Sequence, residues 1–124
     1  MTNDLAAQGN DIRTRLWGAE GLERADQFLA SFDPGFARYL NEQLFGTVWN
    51  RPGIPVATRS MITVAVLIAL GKGQEMRLHM NGARNLGVTD DELREIIVHV
   101  AHYAGVPAAI EGIRAYSEIT APSM

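Results

Sequence analysis

Glu75 and His79 stand four residues apart in the stretch GQEMRLHMNGARNLG, residues 73–87. On a helix this spacing puts a carboxylate and an imidazole on one edge, one turn apart. Gly82 and Leu86 continue that edge at i+7 and i+11 from Glu75, beside an apolar face centred on Met76, Met80 and Ala83. A glycine inside a helix costs about 1 kcal/mol relative to alanine, so Gly82 marks either a close helix contact or space kept for a ligand. The Glu–His pair itself has two readings: a local pair on a half-exposed edge, or the acid–base centre of an enzyme.

Two further clusters carry polar groups where core is expected. His99 and Tyr103 repeat the i, i+4 spacing on the edge of a later apolar helix, while His102 points the opposite way and reads as a structural histidine. In VWNRPGIPVATRS (residues 48–60), Trp49, Arg51 and Arg59 flank a stiff loop leading into an apolar helix. An arginine in a helix's first turn opposes the macrodipole, so Arg59 is expected to meet an acidic side chain or a bound anion.

The remaining chemistry is narrowed by what is missing. The 124 residues contain no cysteine, which removes disulfides, thiolate metal sites and CxxC redox chemistry, and fits a cytoplasmic protein. There is no HExxH, no GxSxG, no glycine-rich phosphate loop and no basic stripe with aromatics. With a net charge of −3, nucleic acid is not an expected partner. No metal or cofactor is expected; catalysis would run on acid, base and electrostatics. Ten of the eleven basic residues are arginine, with Lys72 the exception. A GC-rich genome accounts for that bias, and so does a need to grip carboxylates with planar guanidinium forks.

These residues need elements to position them. The opening residues lack a basic start and an apolar core, so no signal peptide is expected. The longest apolar run, MITVAVLIAL (61–70), is about half a membrane span and reads as a buried helix. Helical periodicity predicts an all-α single domain over 1–124, with loose ends at 1–9 and 119–124. Helices are expected at 11–17, ending at Gly18, and at 20–31; a third follows Asp33-Pro34 to about Leu44. A loop covers 47–55, then helices run to about Leu70, over 73–86, from a Thr89–Glu92 capping box to about Tyr103, and finally to about Tyr116. The apolar helix ending at Leu70 has hardly any polar face and must be covered on every side. A symmetric oligomer is the simplest cover.

In order, Arg59, Glu75, His79, Ala83, Gly87-x-Thr89, Glu92, Glu95 and Tyr103-x-Gly105-x-Pro107 resemble the carboxymuconolactone decarboxylase family. The likeness is strong over 48–116 and weaker upstream. It implies an alkylhydroperoxidase D-like fold assembled as a homotrimer or homohexamer. The peroxidase branch of that fold carries a cysteine where Glu75 stands, so the resemblance implies the decarboxylase branch. Its type reaction converts γ-carboxymuconolactone to β-ketoadipate enol-lactone and CO2 in aromatic (protocatechuate) degradation, without a cofactor. On that reading either His79 supplies a proton and Glu75 raises its pKa, or Glu75 protonates carbon and His79 binds the carbonyl. His99 or Tyr103 stabilises the oxyanion, Arg51 and Arg59 hold a carboxylate, and Trp49 walls the departing group. Gly82 and Leu86 line the site, and His102 departs from the family's apolar pattern. Two other readings stand beside this one: a paralogue acting on another small carboxylate, and a non-catalytic oligomeric protein that binds small carboxylates.

Overall fold

A computed structural model of the chain describes residues 4–122, and among these every regular element is helical, as expected. The order is α1 (Leu5–Phe32), α2 (Pro34–Tyr39), a π-helix (Leu40–Val48), α3 (Val56–Leu70), α4 (Gly73–Asn85), α5 (Asp90–Ala104) and α6 (Val106–Thr120). The chain divides into two compact units, up to residue 56 and from residue 57 onward.

In the first unit, the Asp4 carboxylate accepts the Ala7 N–H at 3.0 Å and starts α1 at Leu5. The loose ends expected at 1–9 and 119–124 are therefore corrected for residues 5–9 and 119–120, which are helical; residues 1–3 and 123–124 lie outside the described residues. Gly18 breaks α1 as expected, with φ 75° and ψ 173°, a conformation that a side chain would strain. The break lets the two halves of α1 meet: Arg13 Nη2 donates to Asp26 Oδ1 at 2.7 Å. Arg13 is 1% exposed, its guanidinium sits 5.6 Å from the centre of the Phe45 ring, and Nη1 donates to Asn41 Oδ1 at 3.0 Å. The Asn41 amide donates in turn to the Ala6 carbonyl at 3.0 Å.

The helix expected to reach Leu44 is where the structure departs most from the sequence reading. Asp33 and Pro34 start it as expected, with the Asp33 carboxylate accepting the Phe36 N–H at 2.7 Å. Beyond Tyr39 the backbone widens into the π-helix. There the backbone of α1 comes so close that a Cβ on Gly9 would stand 2.2 Å from the Asn41 carbonyl oxygen, and one on Gly46 would stand 2.5 Å from that of Leu5. A π-helix is rare, and an apolar period of 3.6 does not announce it.

In the second unit, α3 buries Ser60, Val64 and Ile68, a stripe at i, i+4 and i+8. Val64 and Ile68 pack in a core with Met76, Met80 and Ala83 of α4, Leu93, Ile97 and Val100 of α5, and Ala109 and Ala115 of α6. Arg77 of α4 holds both carboxylate oxygens of Glu118 on α6, at 2.6 and 2.9 Å. The capping box is formed as expected: Thr89 Oγ1 accepts the Glu92 N–H at 3.0 Å, and the Glu92 carboxylate accepts the Thr89 N–H at 2.9 Å. Another side of α3 carries Ile62, Val66 and Leu70, which are 51%, 48% and 63% exposed. Among the described residues, no helix is long and apolar enough to cross a membrane.

Asn41→Ala removes the acceptor for a buried guanidinium and the donor to Ala6, and is expected to cost roughly 2–3 kcal/mol. Thr89→Ala removes one exposed cap and should cost only about 1 kcal/mol. Urea denaturation of both variants beside wild type checks the ordering.

Candidate active site

Along the α4 edge singled out by spacing, exposure is graded. Glu75 is exposed, His79 half-buried, Gly82 buried, and Leu86, just past the helix end, half-buried. His79 lies between the fully buried Met76 and Met80 in sequence, and its Nδ1 is out of contact with solvent. Burial pushes its pKa down to about 4, because the charged imidazolium loses its hydration there. The expectation that Glu75 raises this pKa is therefore corrected: desolvation decides it. No hydrogen bond or ion pair forms between Glu75, on the solvent side, and His79. At neutral pH His79 is an uncharged imidazole.

On α5 the rings of His99 and Tyr103 stack with centroids 5.0 Å apart and planes 27° from parallel. Tyr103 is 83% exposed. His102 faces away, as expected, with Nδ1 2.9 Å from the Val98 carbonyl oxygen of its own helix. Between α3 and α5 runs a groove of about 350 Å³ lined by Met61, Ala65, Asp91, Glu92, Glu95, Ile96, His99 and Val100. It continues past His99 to Val66, Ala69, Tyr103 and Ala104. The structure thus brings His99 and Tyr103 together on one concave surface, and His79 lines neither stretch of it.

Of the two arginines, Arg59 belongs to the unit that carries both His79 and His99; it sits half-buried in the first turn of α3. Its carbonyl accepts the Thr63 hydroxyl at 2.9 Å. Trp49 and Arg51 belong to the first unit. Trp49 is 5% exposed and stacks on Phe45 at 5.6 Å, so its ring is committed to packing, while Arg51 is exposed in the following loop. Among the described residues, no three His, Asp or Glu side chains gather so as to hold a metal ion.

Glu95 was not singled out for chemistry, although its signal is plain in the chain. Glu95-Ile-Ile-Val-His99 repeats the Glu-x-x-x-His spacing of residues 75–79. Glu95 lines the groove beside His99 with its apolar atoms, since the groove's surface is almost wholly apolar. Ser60 was also passed over: it is fully buried, and its hydroxyl has no hydrogen-bond partner. Nothing in its sequence context marks it.

With no cysteine in its 124 residues, this all-α chain has no thiol for peroxidase chemistry. A sequence profile of the carboxymuconolactone decarboxylase family matches residues 34–118. The chain is 40% identical over 112 residues to a 4-carboxymuconolactone decarboxylase of Acinetobacter baylyi, covering 90% of this chain and 84% of that one. It is 36% identical over 117 residues to a nitrosuccinic acid decarboxylase of Metarhizium robertsii, covering 90% and 82%. The chain belongs to the carboxymuconolactone decarboxylase family and is an enzyme of its carboxy-lyase kind.

The depressed His79 pKa has a consequence for stability. Between its ordinary value of 6.5 and about 4, the unfolded chain takes up a proton that the folded chain refuses. The stabilisation is complete above pH 6.5, declines as pH falls towards 4, and changes no further below that. Its size is roughly 3 kcal/mol. Urea midpoints at pH 7, 5 and 4 should fall more steeply for wild type than for His79→Gln, and parallel slopes would show a solvated imidazole.

Proposed function

We propose that the protein decarboxylates a small dicarboxylate whose own bonds accept the electron pair left by CO2. The leading substrate is 4-carboxymuconolactone, giving β-ketoadipate enol-lactone in the breakdown of protocatechuate-type aromatics. The observation that carries this reading is the similarity, over nine-tenths of the chain, to two decarboxylases with differently built substrates. By their names, both substrates carry two carboxylates and an electron sink: a conjugated lactone in one, a nitro group in the other. A substrate with its own sink needs no pyridoxal or thiamine to stabilise the carbanion.

In the lactone, the C–CO2 bond breaks at the γ-carbon. The electron pair moves through the ring double bond to the lactone carbonyl, and a proton then adds at the α-carbon. Arg59 is the candidate for holding the spectator carboxylate, since hydrogen bonds to an ionised partner contribute roughly 1.5–3 kcal/mol each. The uncharged His79 is suited to donating its N–H to the developing oxyanion, a contact whose loss typically costs about 2.7–4 kcal/mol. Glu75, one turn before it, and Tyr103 are further polar groups on the same unit. The exposed stripe Ile62, Val66 and Leu70 supports a homotrimer or homohexamer as the working form, because an apolar face of that extent needs cover. A second reading, with a nitro-substituted dicarboxylate as substrate, is favoured by the likeness to the nitrosuccinic acid enzyme.

The test is CO2 release from 4-carboxymuconolactone and from nitrosuccinate, with glutarate, which has no sink, as the control. Release from the lactone supports the leading reading, release from the nitro acid alone supports the second, and none from either refutes both. Arg59→Lys should raise KM roughly tenfold with little change in kcat, because lysine lacks the bidentate fork. An unchanged KM assigns Arg59 to the fold.

A further inference from the structure

Within the first unit an uncovered apolar seam runs from the end of α1 onto α2 and the π-helix. Phe28 and Phe32, on successive turns of α1, are 76% and 80% exposed, and Phe36 and Tyr39 of α2 are 43% and 64% exposed. The Phe32 and Phe36 rings meet edge to face with centroids 6.2 Å apart, which carries the surface across the extended backbone at Asp33. From Phe36 and Tyr39 a groove of about 500 Å³ continues through Leu40 and Gln43 to Thr47 and Val48, and the described residues lining it carry no charge. Aromatic side chains with no charge among them are the composition of a protein interface's buried centre.

The area fits a second copy of the chain. At about 200 Å² per ring, the four rings present roughly 500 Å². A specific protein interface needs about 1,000 Å² in total, half from each partner. Two seams facing each other reach that threshold before Leu44 and Val48, 40% and 43% exposed, are counted. The seam also matches itself in shape. Phe28, Phe32, Phe36 and Tyr39 make one end bulky, while Leu44, Thr47 and Val48 leave the other slight. In a two-fold pairing residue i meets j and j meets i, so an antiparallel arrangement sets each bulky end against the other copy's slight one. Leu40 and Gln43 then fall near the axis. Gln43 is exposed and carries both donor and acceptor, so two copies of its amide can exchange a reciprocal pair of hydrogen bonds. A polar group satisfied in one register alone fixes that register.

We infer that this seam is a two-fold interface with a second copy of the chain, so that the assembly holds an even number of copies and a lone trimer is excluded. The inference rests on the homo-oligomer reading above and is independent of the substrate.

The experiment is sedimentation equilibrium of the full chain beside Phe36→Asp and Leu44→Asp, with circular dichroism as the check on folding. It is joined by air oxidation of Gln43→Cys, whose thiol stands in an otherwise cysteine-free chain. Wild type should have the mass of an even number of copies. Each Asp variant should have half that mass with unchanged helix content, because pairing would bury its carboxylate against apolar surface. Gln43→Cys should give a disulfide-linked pair whose yield is unchanged on tenfold dilution, since identical residues near a two-fold axis can reach the roughly 4–7 Å Cα separation that a disulfide needs. A wild-type trimer, folded Asp variants that keep the wild-type mass, or a Gln43→Cys disulfide that is absent or lost on dilution overturns the seam while leaving the homo-oligomer reading intact. A wild-type monomer overturns both.

Discussion

The second unit depends on how α3 is buried. Its Ser60, Val64 and Ile68 stripe is sealed against α4, α5 and α6, and Gly112 of α6 stands so near Ile68 that an added Cβ would be 3.2 Å from the isoleucine methyl. Only one side of α3 can be satisfied this way. The next face over, with Met61 and Ala65, is left to form the groove with α5. The same packing keeps the α4 methionines dry, and the imidazole between them in sequence shares their loss of water.

Two histidines at the same spacing from a glutamate thereby acquire different surroundings. His79 sits where water has been removed and stays uncharged; His99 sits on the wall of an open groove with a carboxylate one turn away. A neutral donor for an oxyanion is most effective when desolvated. With no thiol in the chain, acid–base groups of this kind and the arginines are the reactive resources it has.

The first unit is held by a different arrangement, a buried guanidinium shared between Asp26, Asn41 and the face of Phe45. Removing a charge from water is costly unless every partner is in place. The network therefore ties the two halves of α1 and the π-helix into one arrangement, with Trp49 stacked on Phe45 at its end.

What the sequence by itself determined was local. The helix at 56–70, the glycine stops at Gly87 and Gly105, the kink at Gly18 and the Thr89 capping box each follow from dihedral limits and hydrogen bonds spanning a few residues. The i, i+4 pairs at 75/79 and 99/103 were legible for the same reason, and so was the ordered set of residues that marks the family. The tertiary structure alone decided which imidazole was stripped of water, because desolvation is set by side chains from distant parts of the chain. It also decided that Leu40–Val48 would widen to admit the backbone of α1, and that Glu95 would share a groove with His99 while Trp49 was drawn into packing. Spacing along one helix says which side chains can meet; only packing between helices says which of them stay wet.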